Sequence, residues 1–181
     1  YLKSTESGSN KDRLFKVNMD GAIQTHTRVG AYHVVDFCSP VSRQIGNIIQ
    51  AVPINDDMLP LALSVQLWND ALPCQGTPED RIALLADLAS RVREHYGKQP
   101  IFFVMPDQLS YFEAGQLGSY PLWVRGESRV SVRSNTGQLQ GIEAKGRAWS
   151  IWQYKTDQKI PGVPDRIDFD VFFGGSKDFQ L

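Results

Sequence analysis

Long apolar runs are missing from this chain. No stretch approaches the ~20 residues that span a bilayer, so nothing in it reads as a membrane segment. Charge of one sign is missing too. The 19 Lys and Arg against 20 Asp and Glu leave a formal net charge of -1, which gives no electrostatic case for nucleic acid or an anionic membrane surface. Cysteine is scarce: Cys38 and Cys74 are the whole complement, with neither a zinc spacing nor a C-x-x-C redox pair. No metal and no other cofactor is expected. The two thiols are either free and partly buried or joined in one disulfide, which would imply an oxidising compartment, periplasmic or extracellular. Each follows closely on a predicted strand, and those strands are predicted neighbours, which favours the disulfide. The chain begins at Tyr1 with no methionine and no signal-like segment, so it reads as a processed or trimmed piece.

What is present is the composition of a soluble globular domain, 41% hydrophobic and 22% charged with a mean hydropathy of -0.30. A length of 181 residues makes one domain over 1–181 the expectation, with room for a substantial core. Tyr1 to Thr5 alternates as a strand and enters a polar turn at 6–10. Residues 11–27 carry a loose helical pattern, 29–37 a clear strand, and 40–51 a helix with Val41, Ile45, Ile48 and Ile49 on its apolar side. Thr77 suits a helix N-cap, Pro78 the first helical position, and Glu79 and Asp80 the positive end of the helix dipole. Ile82, Leu85, Leu88, Ala89, Val92 and Tyr96 then mark one face, closed by Gly97. Apolar strands follow at 100–105 and 120–125, a Gly-, Ser- and Arg-rich loop at 126–147, and two last strands at 149–154 and 167–172. Alternating strand and helix predicts a mostly parallel α/β barrel. Seven strands are counted, and an eighth would sit before Tyr1.

The stretch Leu61–Trp68 reads as a buried strand ending in a polar turn. Ser64 and Gln66 are two residues apart, so they share a face, and in an α/β barrel polar groups at a strand's C-terminal end look into the active-site mouth. A hydroxyl and an amide stand where two carboxylates would suggest a glycosidase.

The order of segments resembles the glycoside hydrolase family 25 lysozymes, the Chalaropsis-type muramidases. Tyr1 to Gly8 is similar to the family's F-I-K-A-T-E-G strand, and Gly30-Ala31-Tyr32-His33 matches G-A-Y-H. Gln44 and Asn47 fit the following helix, and Leu59-Pro60 leads into the place of the D-V-E strand. Tyr120 to Trp123 resembles Y-P-L-W, Trp149 to Tyr154 matches W-x-I-W-Q-Y, and Pro161-Gly162 with Ile167 to Phe172 matches P-G-x…V-D-x-N-x-F. The resemblance implies a TIM-like barrel, with its first strand absent here, whose mouth grips peptidoglycan and cuts between N-acetylmuramic acid and N-acetylglucosamine. It also implies that Ser64 and Gln66 replace the catalytic Asp and Glu, and that of four family carboxylates only Asp168 remains. Gln66 can bond a sugar but cannot deliver a proton, and general acid catalysis is worth about 10²–10⁴ in rate.

Three readings follow. In the first, a muramidase-fold protein has lost hydrolysis and holds peptidoglycan, another glycan or a protein partner in the old cleft. In the second, relocated acids (Glu6, Asp36 and Asp168) keep a peptidoglycan N-acetylmuramidase active. In the third, the chain is an interaction module whose open barrel edge is covered by another chain. Tyr32, Trp68, Gln153 and Tyr154 are expected to line the sugar cleft, although aromatics are most often core. Asp168 is expected to orient a sugar or pair with Lys3, Asp170 to face the other side of its strand in a structural role, and His33 to be packed rather than metal-bound.

Overall fold

The computed structural model describes residues 1–66, 74, 76–112, 115–126, 149–164 and 166–174. The expected loop at 126–147 falls outside these residues from 127 onward, and so does Trp68. In chain order the elements are β1 (Leu2–Glu6), β2 (Asn10–Lys11), α1 (Phe15–Gln24), β3 (Ala31–Val34), α2 (Val41–Ala51), β4 (Ala62–Ser64), α3 (Pro78–Tyr96), β5 (Ile101–Val104), two 3-10 turns (Pro106–Phe112 and Gly115–Leu117), β6 (Leu122–Arg125), β7 (Ile151–Gln158) and β8 (Ile167–Phe172).

One sheet takes all eight strands, in the order β2-β1-β3-β4-β5-β6-β7-β8. From β1 through β7 the neighbours run parallel, while β2 and β8 pair antiparallel with β1 and β7. The strand that the sequence pattern did not mark is the two-residue β2, which follows β1. The polar stretch after Glu6 closes as a hairpin, and Asn47 of α2 secures it by donating to the carbonyls of Glu6, Ser7 and Asn10. Among the described residues no ladder joins the sheet's two ends, β2 and β8.

Strand alternation sorts the core into two layers. Leu63 and Val65, Phe102 and Val104, and Leu122 and Val124 face the helices, where Ile45 and Ile48 of α2 and Leu85, Leu88 and Val92 of α3 meet them. Ala62, Ile101 and Ile151 face the opposite, inner side with Tyr1, Tyr32, Trp123 and Phe172. The sheet curves enough that the rings of Tyr1 and Trp123, four strands apart, lie 5.1 Å from each other. A Cβ at position 30 would collide with the Tyr1 ring, which is why a glycine opens the Gly30-Ala31-Tyr32-His33 stretch. The sequence signals around α3 are realised in full. Thr77 Oγ1 accepts from the Asp80 N–H while the Asp80 carboxylate accepts from the Thr77 N–H, and Gly97 ends the helix at φ 70°.

Candidate functional site

Parallel strands deliver their C-terminal ends to one rim, and β8, running the other way, brings its N-terminal end there. The inner face of that rim encloses a cavity of about 470 Å³. Ser64 and Gln66 line it from the end of β4, Tyr32 from β3, Gln153 from β7 and Asp168 from β8. These five were singled out from sequence, and the fold brings them together. A larger groove, about 540 Å³, lies among loops that precede β3, β4 and β5 and includes His26, Asp57 and Lys98. It sits at the opposite, N-terminal end of the strands, the end that serves stability in α/β barrels. There Lys98 Nζ ties Asp56 to Met58 through their carbonyls.

Other expected residues go elsewhere. Asp36 does not line this cavity, and its carboxylate accepts from Ser7 Oγ, Ser39 Oγ and the Cys38 N–H at 2.8, 2.6 and 2.9 Å. Burial pushes that carboxyl up, but these bonds outweigh it and hold it below its ordinary value. Glu6 forms a 2.6 Å ion pair with Lys3 and opens on a separate groove with Asn10 and Asp12. Lys3 is thus taken, and Asp168 instead accepts from Gln153 Nε2 and the Asp157 N–H, both at 3.0 Å. Tyr154 follows Gln153 on the strand and so points to the other face, against Trp152 and Phe169. Trp149 and Trp152 are buried core residues.

Asp170, Trp123 and Arg125 are among the cavity residues that escaped the sequence reading. Asp170 lies on the same side as Asp168, not the other, because a spacing of two returns a strand to the same face; both line the cavity. Trp123 and Arg125 reach it from β6 by the same alternation. Trp123 Nε1 donates to Asp170 Oδ1 at 2.7 Å. Burial raises the Asp170 carboxyl above its ordinary value. The bond from Trp123 opposes the rise, the charge of Asp168 adds to it, and the Tyr1 amino group opposes it. The half-buried Tyr32 phenol is also held up, chiefly by burial, so it remains a neutral donor and acceptor. Among the described residues no group of His, Cys, Asp and Glu is arranged to hold a metal ion.

The surroundings of the mouth are braced. His33 is fully buried, with Nδ1 2.8 Å from Thr5 Oγ1 and Nε2 3.0 Å from Gln44 Oε1. Gln44 Nε2 donates to the carbonyls of Asp36 and Ser39, which leaves its Oε1 an acceptor and assigns the ring proton to Nε2. A disulfide joins Cys38 to Cys74 across 36 residues, with Cα atoms 5.1 Å apart. It ties the turn after β3 to the segment entering α3.

The family model for glycosyl hydrolases family 25 matches residues 1–163. The chain belongs to that family. A family 25 glycosyl hydrolase from Bacillus anthracis superposes with a TM-score of 0.76 at 27% identity, covering 98% of this chain and 79% of that one. The Streptomyces coelicolor lysozyme gives a TM-score of 0.75 at 20% identity over 99% and 83% of the two chains. A family 25 lysozyme from Aspergillus fumigatus gives 0.71 at 20% over 98% and 83%. Comparison with curated proteins returns no match. The α/β sheet of eight strands is thus the lysozyme fold of this family, whose lysozymes act on peptidoglycan.

Proposed function

We propose that this family 25 chain, acting as one domain, holds peptidoglycan glycan in the rim cavity without cutting it. The observation that carries the reading is the pairing of Ser64 and Gln66 in the cavity wall, on the strand where the resemblance calls for an acid pair. A hydroxyl and an amide can bond sugar hydroxyls but cannot protonate a departing glycosidic oxygen. Tyr32 and Trp123 bring aromatic rings to the cavity wall, and Arg125 and Gln153 bring polar groups. The Cys38–Cys74 disulfide suits work outside the cytoplasm, in the periplasm or beyond the cell.

The test pairs co-sedimentation with insoluble peptidoglycan and a turbidity assay on the same suspension. The expected result is a chain that pellets with peptidoglycan, pellets less as Tyr32→Ala, and leaves the turbidity unchanged. Clearing by the unaltered chain that disappears in Asp168→Ala would overturn the reading, and so would failure to pellet.

One observation favours a second reading, hydrolysis by relocated acids. Asp170, with its carboxyl held up by burial, stands two residues from Asp168, the i, i+2 spacing of a strand-borne acid pair. In that case Asp170 would give its proton to the glycosidic oxygen as the C–O bond breaks, Asp168 would stabilise the positive sugar carbon, and water would complete the hydrolysis. Glu6 and Asp36, the other candidate acids, do not line this cavity. It predicts clearing by the unaltered chain that Asp170→Asn lowers by about 10²-fold or more.

A further inference from the structure

Across the cavity from Ser64 and Gln66, β7 and β8 carry a cluster of hydrogen-bond acceptors, with Arg125 of β6 the partner of Gln153 in the adjoining ladder. Gln153 and Asp170 are direct partners in the antiparallel β7–β8 ladder, so their side chains rise next to each other. Asp168 shares the face and accepts from Gln153 Nε2. One N–H of the Gln153 amide is committed to Asp168, and its acceptor, Oε1, has no partner although the residue is only 6% exposed. A buried acceptor without a donor is costly, and such an atom in a native cavity wall marks a place where a donor belongs. The carboxylates have their own committed oxygens, Asp168 Oδ1 to the Asp157 N–H and Asp170 Oδ1 to the Trp123 indole. What remains for a ligand is the Gln153 amide oxygen and the spare lone pairs of two carboxylates.

A hydroxyl brings one donor and also an acceptor. An acetamido group brings one N–H and a carbonyl, which would face two anions. A primary ammonium brings three N–H donors and a positive charge, and it alone matches three acceptors with two negative charges. It would also relieve the repulsion between Asp168 and Asp170. We propose that Gln153, Asp168 and Asp170 form an ammonium subsite, and that the cavity selects glycans carrying a free amino sugar, glucosamine in place of N-acetylglucosamine. This rests on the glycan-binding reading above and narrows it to de-N-acetylated polymer. Within this cavity the residues at the end of β4, Ser64 and Gln66, are neutral, while both carboxylates, Asp168 and Asp170, stand on β8.

The test compares the glucosamine tetramer with the N-acetylglucosamine tetramer by calorimetry, at mildly acidic pH where the amine is charged. The unaltered chain is expected to bind the glucosamine tetramer about tenfold or more tighter. Asp170→Asn keeps an oxygen for the Trp123 indole and removes the charge, and it is expected to shrink that ratio to less than about threefold. Asp168→Asn serves as the second variant, with thermal unfolding confirming that each still folds. Equal affinity for the two tetramers, or preference for the acetylated one, overturns the subsite and leaves glycan binding standing. Binding of neither overturns both. Calcium chloride titrated alone is the third arm, and a calcium site lost in Asp170→Asn, with no preference between tetramers, would make the wall a metal site and overturn the proposal.

Discussion

His33 contributes most clearly through the proton it does not carry. Burial pushes its imidazole down to about 4 from an ordinary 6.5, against opposing contributions from Gln44, Glu6 and Asp36. The unfolded chain therefore binds a proton in that window and the folded chain does not. Stability is complete above about 6.5 and falls as pH drops toward about 4, by roughly 3 kcal/mol at most from this group. Urea unfolding midpoints measured across that range should fall for the unaltered chain and fall less steeply for His33→Gln. An identical slope in the two would remove His33 as the cause. Single residues also divide by legibility. That His33 would be packed followed from the absence of other metal-binding residues near it. That Asp36 would be consumed by Ser7, 29 residues away, followed from nothing local.

At the level of elements, α3 and the β1–β2 hairpin make a contrast. The start of α3 is written in four adjacent residues, Thr77 to Asp80, since a cap and a first-turn carboxylate need only their own backbone. Thr77→Ala should lower stability by about 1 kcal/mol, read as a drop in thermal midpoint with the native far-UV spectrum retained. The hairpin depends on α2 instead. Asn47 is buried and its Nδ2 reaches three carbonyls between Glu6 and Asn10. Asn47→Ala strands those carbonyls and should cost about 2 kcal/mol or more, with early loss of hydrogen-exchange protection at Asp12, whose N–H bonds the Ser4 carbonyl. If protection there is unchanged, the hairpin holds itself. The polar composition of 6–10 correctly marked a reversal of the chain, but a two-residue strand at Asn10–Lys11 is too short to leave a pattern.

For the whole molecule, the disulfide and the curved sheet set the shape of the mouth. Cys38 and Cys74 close a loop of 36 residues that contains α2 and β4, so reduction should cost about 2–4 kcal/mol. Thermal scans with and without a reducing agent measure that directly, and a midpoint that does not move would show the clamp to be idle. Glycan binding measured in the same two states would report whether the segment entering α3 must be tied down for the cavity to hold its ligand.

The sequence by itself determined the succession of strands and helices apart from β2, the caps of α3, and the shared face of Ser64 and Gln66. Each of these depends on period or on near neighbours, and both are written along the chain. The spacing of Asp168 and Asp170 carried the same information about their common face. Only the tertiary structure decided what those faces meet: Gln153 opposite Asp170 across a ladder, Trp123 bonded to Asp170 from two strands away, and Glu6 drawn to Lys3 and out of the cavity. Such pairings depend on register and sheet curvature, which arise from contacts between residues far apart in sequence and leave no local pattern to read.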